Sequence, residues 1–187
     1  MSIKVFTDEL LRKQKEIEEY ARKTFPRKAG KVAVDHFLDN FRQGGFVNNG
    51  LQKWKTPKRM SKRVSTQYKT LLSGRHHLYD SIRSSPPEDG RVVISTDVEY
   101  AAIHNYGGEI THPISRKQRV KATEMHVRKT GTNHREKNSM WKGLALTPKT
   151  KYVIKMPQRQ FIGHSKELDT ALHDMAVRDI KYIFNQK

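Results

Sequence analysis

Nine histidines, at positions 36, 76, 77, 104, 112, 126, 134, 164 and 173, and the carboxylates Asp80, Asp97, Glu99 and Glu109 are the side chains with which this chain of 187 residues could do chemistry. The four acids could gather a magnesium ion, which takes oxygen ligands, into a nuclease-type centre. Such a centre also needs a lysine or base in register with the acids, and the spacing singles none out. Acids at strand ends, balanced by nearby lysines and arginines, are the more economical reading. His104 and His112, with Glu109 between them, invite a metal or hydrolytic site in the same way. One histidine packed on a helical turn and one in a loop account for them as well. No histidine pair has the i, i+4 spacing of an HExxH helix, and His76 and His77, read as neighbours on a strand, face opposite sides of it. The absence of cysteine removes disulfides, thiolate zinc sites and a thiol nucleophile. The glycine pairs at 44–45 and 107–108 match neither GxGxxG nor a Walker loop. The expectation is a protein that is not an enzyme, with no catalytic residues, no metal and no cofactor.

The remaining chemistry is electrostatic. Lysine and arginine total 37 against 19 acids, a net charge of +18, and the excess is not spread evenly. Residues 52–75 hold 8 basic and 0 acidic groups and residues 111–155 hold 12 and 2, while residues 76–110 between them hold 2 and 6. Lys53, Lys55, Lys58 and Arg59 in the first basic segment, and Arg116, Lys117, Arg119, Lys121, Arg128 and Lys129 in the second, are the candidates to face a polyanion. Both DNA, through counterion release, and an acidic protein surface would be drawn to such a field. Trp54, Trp141 or Tyr152 could stack on bases, but aromatic residues are sparse among the charges. No RNP, KH, zinc-finger or helix-turn-helix signature accompanies them, which argues against sequence-specific readout. A merely solvated charged loop is the competing account.

The elements that must position these groups are helical at both ends. Thr7 can cap a helix from Asp8 whose Leu10, Leu11, Gln14, Ile17 and Ala21 mark an amphipathic face to about residue 24, where Pro26 stops it. A second helix over 27–43 carries Ala29, Val32, Ala33, His36, Phe37 and Phe41 at three and four spacing and ends at Gly44 and Gly45. Residues 46–70 have no clean period and read as an irregular connector anchored by Phe46 and Trp54. Strands are expected around 78–84 and 92–96, followed by a short helical turn with Tyr100, Ile103 and His104 on one face and a stop at Gly107 and Gly108. Residues 111–151 look like an excursion, with strands at 121–128 and 152–156 forming a long hairpin arm. Ser165 caps a last helix whose stripe of Leu168, Ala171, Leu172, Met175, Ala176, Ile180 and Ile183 is expected to cover a sheet face. Only 35% of residues are hydrophobic and 30% are charged, so the core is thin. No apolar run approaches the roughly 20 residues of a membrane span, and the first residues lack a secretory signal, so a soluble, unexported chain is expected.

Three blocks, taken in order, are more specific than any one of them. They are LLSGRHHLYDSI at 71–82, VVISTDVEYAAIHNYGGEI at 92–110 and MPQRQFIGHSKEL at 156–168. The first resembles the small-residue, Gly, basic, Leu, Ser-Ile strand of the phage virion morphogenesis family, the tail-completion proteins of Mu-type and related tailed phages. The second resembles its strand, Tyr-Ala and His followed by an aromatic-Gly pair. The third is similar to its closing motif, with Pro157, Arg159, Phe161, Ile162, Gly163 and Ser165 in the matching places, and the connector with Trp54 and Pro57 resembles the family's Trp-containing loop. The resemblance implies an α+β fold in which a small, mainly antiparallel sheet of about four strands is packed by N-terminal helices and a C-terminal helix, with a long basic loop or hairpin arm. One tail-completion-like domain is expected over 1–187: helices at 1–45, connector at 46–70, sheet core at 71–110, basic insertion at 111–155, closing motif and helix at 156–187. It further implies a structural virion protein of the neck or tail end, completing the tail or joining head to tail as a homo-oligomeric ring, with a hexamer as one option. Its partners would be other neck and tail proteins, with no membrane; the charge of residues 111–151, independently of the resemblance, points to non-specific contact with packaged DNA or to an acidic neighbouring protein. Its place would be the virion, after assembly in the bacterial host cytoplasm. Tyr100, His104, Gly107, Gly108, Arg159 and Phe161 are the residues this reading assigns to subunit interface or assembly. The alternative is a non-specific nucleic-acid-binding protein acting through its basic segments.

Overall fold

The computed structural model describes residues 3–57, 70–72, 74–130 and 140–186. In chain order the elements are α1 (Ile3–Glu19), a π-helical turn (Tyr20–Thr24), α2 (Phe25–Gln43), β1 (Gly45–Val47), β2 (Leu51–Lys53), α3 (His77–Asp80), β3 (Arg83–Ser84), β4 (Ile94–Ser95), α4 (Ala101–Tyr106), β5 (Gly108–Pro113), α5 (Arg116–Thr130), α6 (Met140–Leu146), β6 (Lys151–Met156) and α7 (Lys166–Asn185). They fall into two compact units, one made of Met1–Tyr106 with Pro157–Lys187 and the other of Gly107–Met156. The class is α+β, with antiparallel strand pairs among helices.

In the first unit the two expected N-terminal helices are one rod. Pro26 does not stop α1, because the turn before it widens. Phe25 N–H reaches back to the Tyr20 carbonyl, a five-residue step, and Pro26 then sits in the first turn of α2. Proline has no N–H and its ring presses on the carbonyl four residues earlier, and a π turn absorbs that misfit without breaking the helix. Thr7 is likewise no cap. It lies inside α1, its hydroxyl donating to the Ile3 carbonyl at 3.0 Å. The far end of α2 follows expectation: Gly44 takes φ +69°, and its N–H bonds back to the Asn40 and Phe41 carbonyls.

Two faces of α2 organise the core. Phe41, fully buried, packs with Trp54, Leu78, Ile82, Val98, Ala101 and Phe161, while Ala33 and Phe37 pack with Phe46 and Leu168. The Phe41 ring meets Trp54 edge-on at 5.5 Å, Tyr79 at 5.8 Å and Phe161 at 5.2 Å. Removing each such ring from water contributes about 1.5–3 kcal/mol. Gly30 lets the β3–β4 hairpin approach α2, since a Cβ there would stand 3.0 Å from Val92 Cγ2 and 3.1 Å from Ser84 Cβ.

The sheet differs from expectation. Among the described residues the strands form three separate two-stranded antiparallel ladders, β1 with β2, β3 with β4 and β5 with β6, rather than one sheet of about four. The block at 71–82 is the reason in one place. Leu78 and Ile82 are both buried and stand four apart, a helical spacing, so the chain turns through α3 after His76 at φ +51° and keeps only Arg83–Ser84 as strand. The strand expected around 92–96 is present only as Ile94–Ser95, with Val92 and Ile94 partly buried and Val93 half exposed between them. Helix α7 therefore has no broad sheet face to cover and packs on helices instead. Tyr20 donates to Asp179 at 3.0 Å, Lys28 pairs with the same carboxylate at 2.6 Å, and buried Lys13 donates to the Ile183 and Gln186 carbonyls at 2.6 and 2.7 Å, capping the end of α7 from α1. Ser165 does cap its start, the hydroxyl accepting from Leu168 N–H at 3.3 Å.

In the second unit β5 and β6 pair from Gly108 opposite Met156 to Pro113 opposite Lys151. The expected strand at 152–156 is there, but its partner is 108–113. Residues 121–128 lie inside α5. Ser115 and Gln118 form a reciprocal capping box at the head of that helix, with Gln118 N–H to the Ser115 hydroxyl at 3.2 Å and Ser115 N–H to the Gln118 carbonyl oxygen at 2.8 Å.

Candidate functional site

The closing motif is where the first unit converges. Asn105, on α4, is buried, and its side-chain oxygen accepts from both Phe161 N–H at 2.9 Å and Ile162 N–H at 3.0 Å. Asn40, on α2 and fully buried, donates to the Phe161 carbonyl at 3.2 Å and accepts from Val47 N–H at 3.0 Å. Trp54 Nε1–H donates to the Gln160 carbonyl at 2.8 Å, and Arg159 N–H to the His104 carbonyl at 2.7 Å. A loop without regular structure leaves its backbone groups without ladder partners, and these side chains supply them from three directions. Glu167 does the same for the β1–β2 turn, accepting from Asn49 N–H at 3.1 Å and Gly50 N–H at 2.8 Å. Those backbone donors, Gly50 foremost, hold its carboxyl below the ordinary range.

Arg159 and Phe161, expected at a subunit interface or in assembly, are both buried within the first unit. Phe161 is 1% exposed and Arg159 6%; the guanidinium Nε–H donates to the Lys55 carbonyl at 3.1 Å. The loop they sit on is held by side chains of α2 and α4 and by Trp54. Tyr100 is half exposed, its hydroxyl 3.2 Å from His77 Nδ1 and its ring edge-on to His104 at 5.9 Å. Gly107 and Gly108 take φ +73° and +139°, the left-handed region that ends α4. Tyr106, at the end of α4, is 76% exposed.

The acids do not assemble. Asp80 and Asp97 line one open depression, but Arg75, His77 and Arg83 line it with them. Glu109 lies in the second unit and pairs with Lys155 at 3.3 Å, as His112 there stacks on Tyr152 at 5.4 Å. Among the described residues no group of three or more histidines and acids is placed to hold a metal ion.

The basic candidates separate sharply. Lys53 and Lys55 are exposed beside Trp54, and Lys58 and Arg59 lie outside the described residues. Trp54 is buried with its N–H engaged, so it does not stack on bases. Arg116, Lys117, Lys121 and Arg128 are exposed on α5, which also contains Lys129. Arg119 is turned the other way, its guanidinium donating to the Thr147 carbonyl and, at 2.8 Å, to that of Lys149. Arg119 thus fastens the segment after α6.

Asn40, Asn105, Glu167 and Lys13 carry much of this geometry and none stands out by motif. The available signal was an amide set among apolar positions: Asn40 lies between Phe37 and Phe41, and Asn105 sits beside the buried turn at Ala101. Buried amides in such places imply backbone partners.

Neither the curated proteins nor the solved structures contain a match to this chain. A family model, that of the phage virion morphogenesis family, matches residues 8–181, which takes in both compact units and all three blocks of the sequence. The chain belongs to the phage virion morphogenesis family, and its role lies in building the phage particle.

Proposed function

We propose that the chain is a structural component of the neck or tail end of the virion, completing the tail and joining head to tail as an oligomeric ring without catalytic turnover. The observation that carries this reading is the family match over 8–181. The geometry supports it in two ways. The closing motif is bonded to α2, α4 and Trp54, which fixes it within the first unit. The protomer also leaves large apolar side chains uncovered: Ile3, Phe6 and Leu10, on one face of α1, are 85%, 58% and 55% exposed. Large apolar groups left open on a small chain are a mark of surfaces that meet other proteins. The neighbours in the particle are further copies, a hexameric ring among the options, and other neck and tail proteins.

Removing the gene from the phage tests the proposal. The expected result is filled heads and tails that accumulate unjoined, with joining restored when purified protein is added to the extract. Joined, infectious particles made without the protein would overturn it. A second reading, a nucleic-acid-binding protein acting outside the particle, is favoured by the exposed cations of α5. It predicts normal particle assembly in the same deletion.

A further inference from the structure

We infer that the outward face of α5 is a seat for the phosphate backbone of double-stranded DNA, with Lys117, Lys121 and Arg128 as its contacts and Arg116 beside them. This deepens the virion reading by naming a partner and depends on that reading only for where the DNA is met.

Helix α5 has no amphipathic stripe of the usual kind, yet it has two distinct sides. Ala122 and His126 are buried and Arg119 is bonded to the segment after α6, so this side seats the helix in its own unit. At 3.6 residues per turn, Lys117, Lys121 and Arg128 fall within an arc of about 40°, roughly opposite that seat. All three are exposed. The stripe runs about 16 Å along the axis, long enough to follow several phosphates of one strand, which succeed one another every 3.4 Å or so of duplex. Glu124 is the one acid on this side, and with Arg116 at the helix start the exposed cations still outnumber it four to one.

The chemistry of the face favours DNA over an acidic protein. Protein interfaces are centred on apolar and aromatic anchors and are depleted in lysine. Among the side chains described on this side of α5 none is aromatic, and the apolar groups, Met125, Val120 and Val127, lie at the edges of the stripe rather than within it, so burial would gain little. Non-specific duplex binding needs only cations that release counterions from a regular line of charge. Nothing here reads base edges, so no sequence preference is expected.

The test uses the full-length protein and a fluorescent random-sequence duplex, titrated at several salt concentrations, beside the triple variant Lys117→Gln, Lys121→Gln, Arg128→Gln. A matched variant, Lys4→Gln, Arg12→Gln, Lys15→Gln, removes as many cations from α1. The wild type should bind with a steep salt dependence. The α5 variant should lose at least tenfold in affinity, its salt slope falling by about 2.7 for three phosphates released, while the α1 variant binds like the wild type. Circular dichroism melts of both variants, expected to match the wild type, show that the fold is kept. No duplex binding by the wild type, equal losses in the two variants, or wild-type binding to polyglutamate as tight as to DNA would each overturn the inference. None of those results bears on whether heads and tails join in the deletion experiment, so the two proposals fail separately.

Discussion

The closing loop around Phe161 and helix α5 both depend on polar side chains, but the loop turns them inward and the helix turns most of them out. Around the loop, Asn40, Asn105, Trp54 and Arg159 are buried and bonded to backbone groups, so each is fixed by what it completes. On α5 Arg119 works that way, while Lys117, Lys121 and Arg128 are left to solvent. The contrast shows that residue type alone does not separate a structural group from one left to solvent. An arginine in a motif (Arg159) is part of the first unit's own packing, and lysines in an unremarkable charged run are what the surface offers.

If the loop is an internal lock, breaking it costs stability in order of what is removed. Phe161→Ala should have the largest effect, about 3–5 kcal/mol in urea unfolding, because it empties a fully enclosed site against Phe41. A small loss there would mean that the loop is loosely held. Asn105→Ala should cost about 2–4 kcal/mol, since the N–H groups of Phe161 and Ile162 both lose their acceptor.

Tyr20→Phe should cost about 0.5–1.5 kcal/mol by removing the bond to Asp179. It also carries a pH signature. Burial first, and then the hydrogen bond to Asp179, pushes the Tyr20 phenol from 10.0 up to about 12. A raised value means that the neutral phenol's contribution is complete below pH 10 and is lost as pH rises from there toward 12. The wild type should therefore lose stability across that window, and the variant should lose less. Smallest of all, Lys117→Gln with Lys121→Gln should shift stability by no more than about 0.5 kcal/mol, measured on the same urea curves. A large loss from that pair would erase the distinction between the two regions.

Much of the first unit was legible because its signals are local. Gly44, Ser165, Phe46 and Trp54 each act through their own backbone or burial preference, as does the Gly107–Gly108 stop that opens the second unit. What was not legible depended on a competing or distant effect. The reach of Pro26 depends on whether the turn before it can widen, and it does. Helix α5 shows no apolar period, so its charges masked a capping box and a run of good helix formers. The 77–82 block looked extended because its apolar residues could also fit a strand, and only its packing on Phe41 shows the helical spacing. The inward asparagines had no local signal beyond being polar among apolar neighbours, because their partners lie on a loop distant in sequence.

The most direct test of the account is to locate the protein in purified, infectious particles by electron microscopy with a label fused to its C-terminus. The account predicts label in a single band at the neck or tail end, in a fixed copy number per particle. Particles that carry none of it, or label scattered over the capsid, would contradict it.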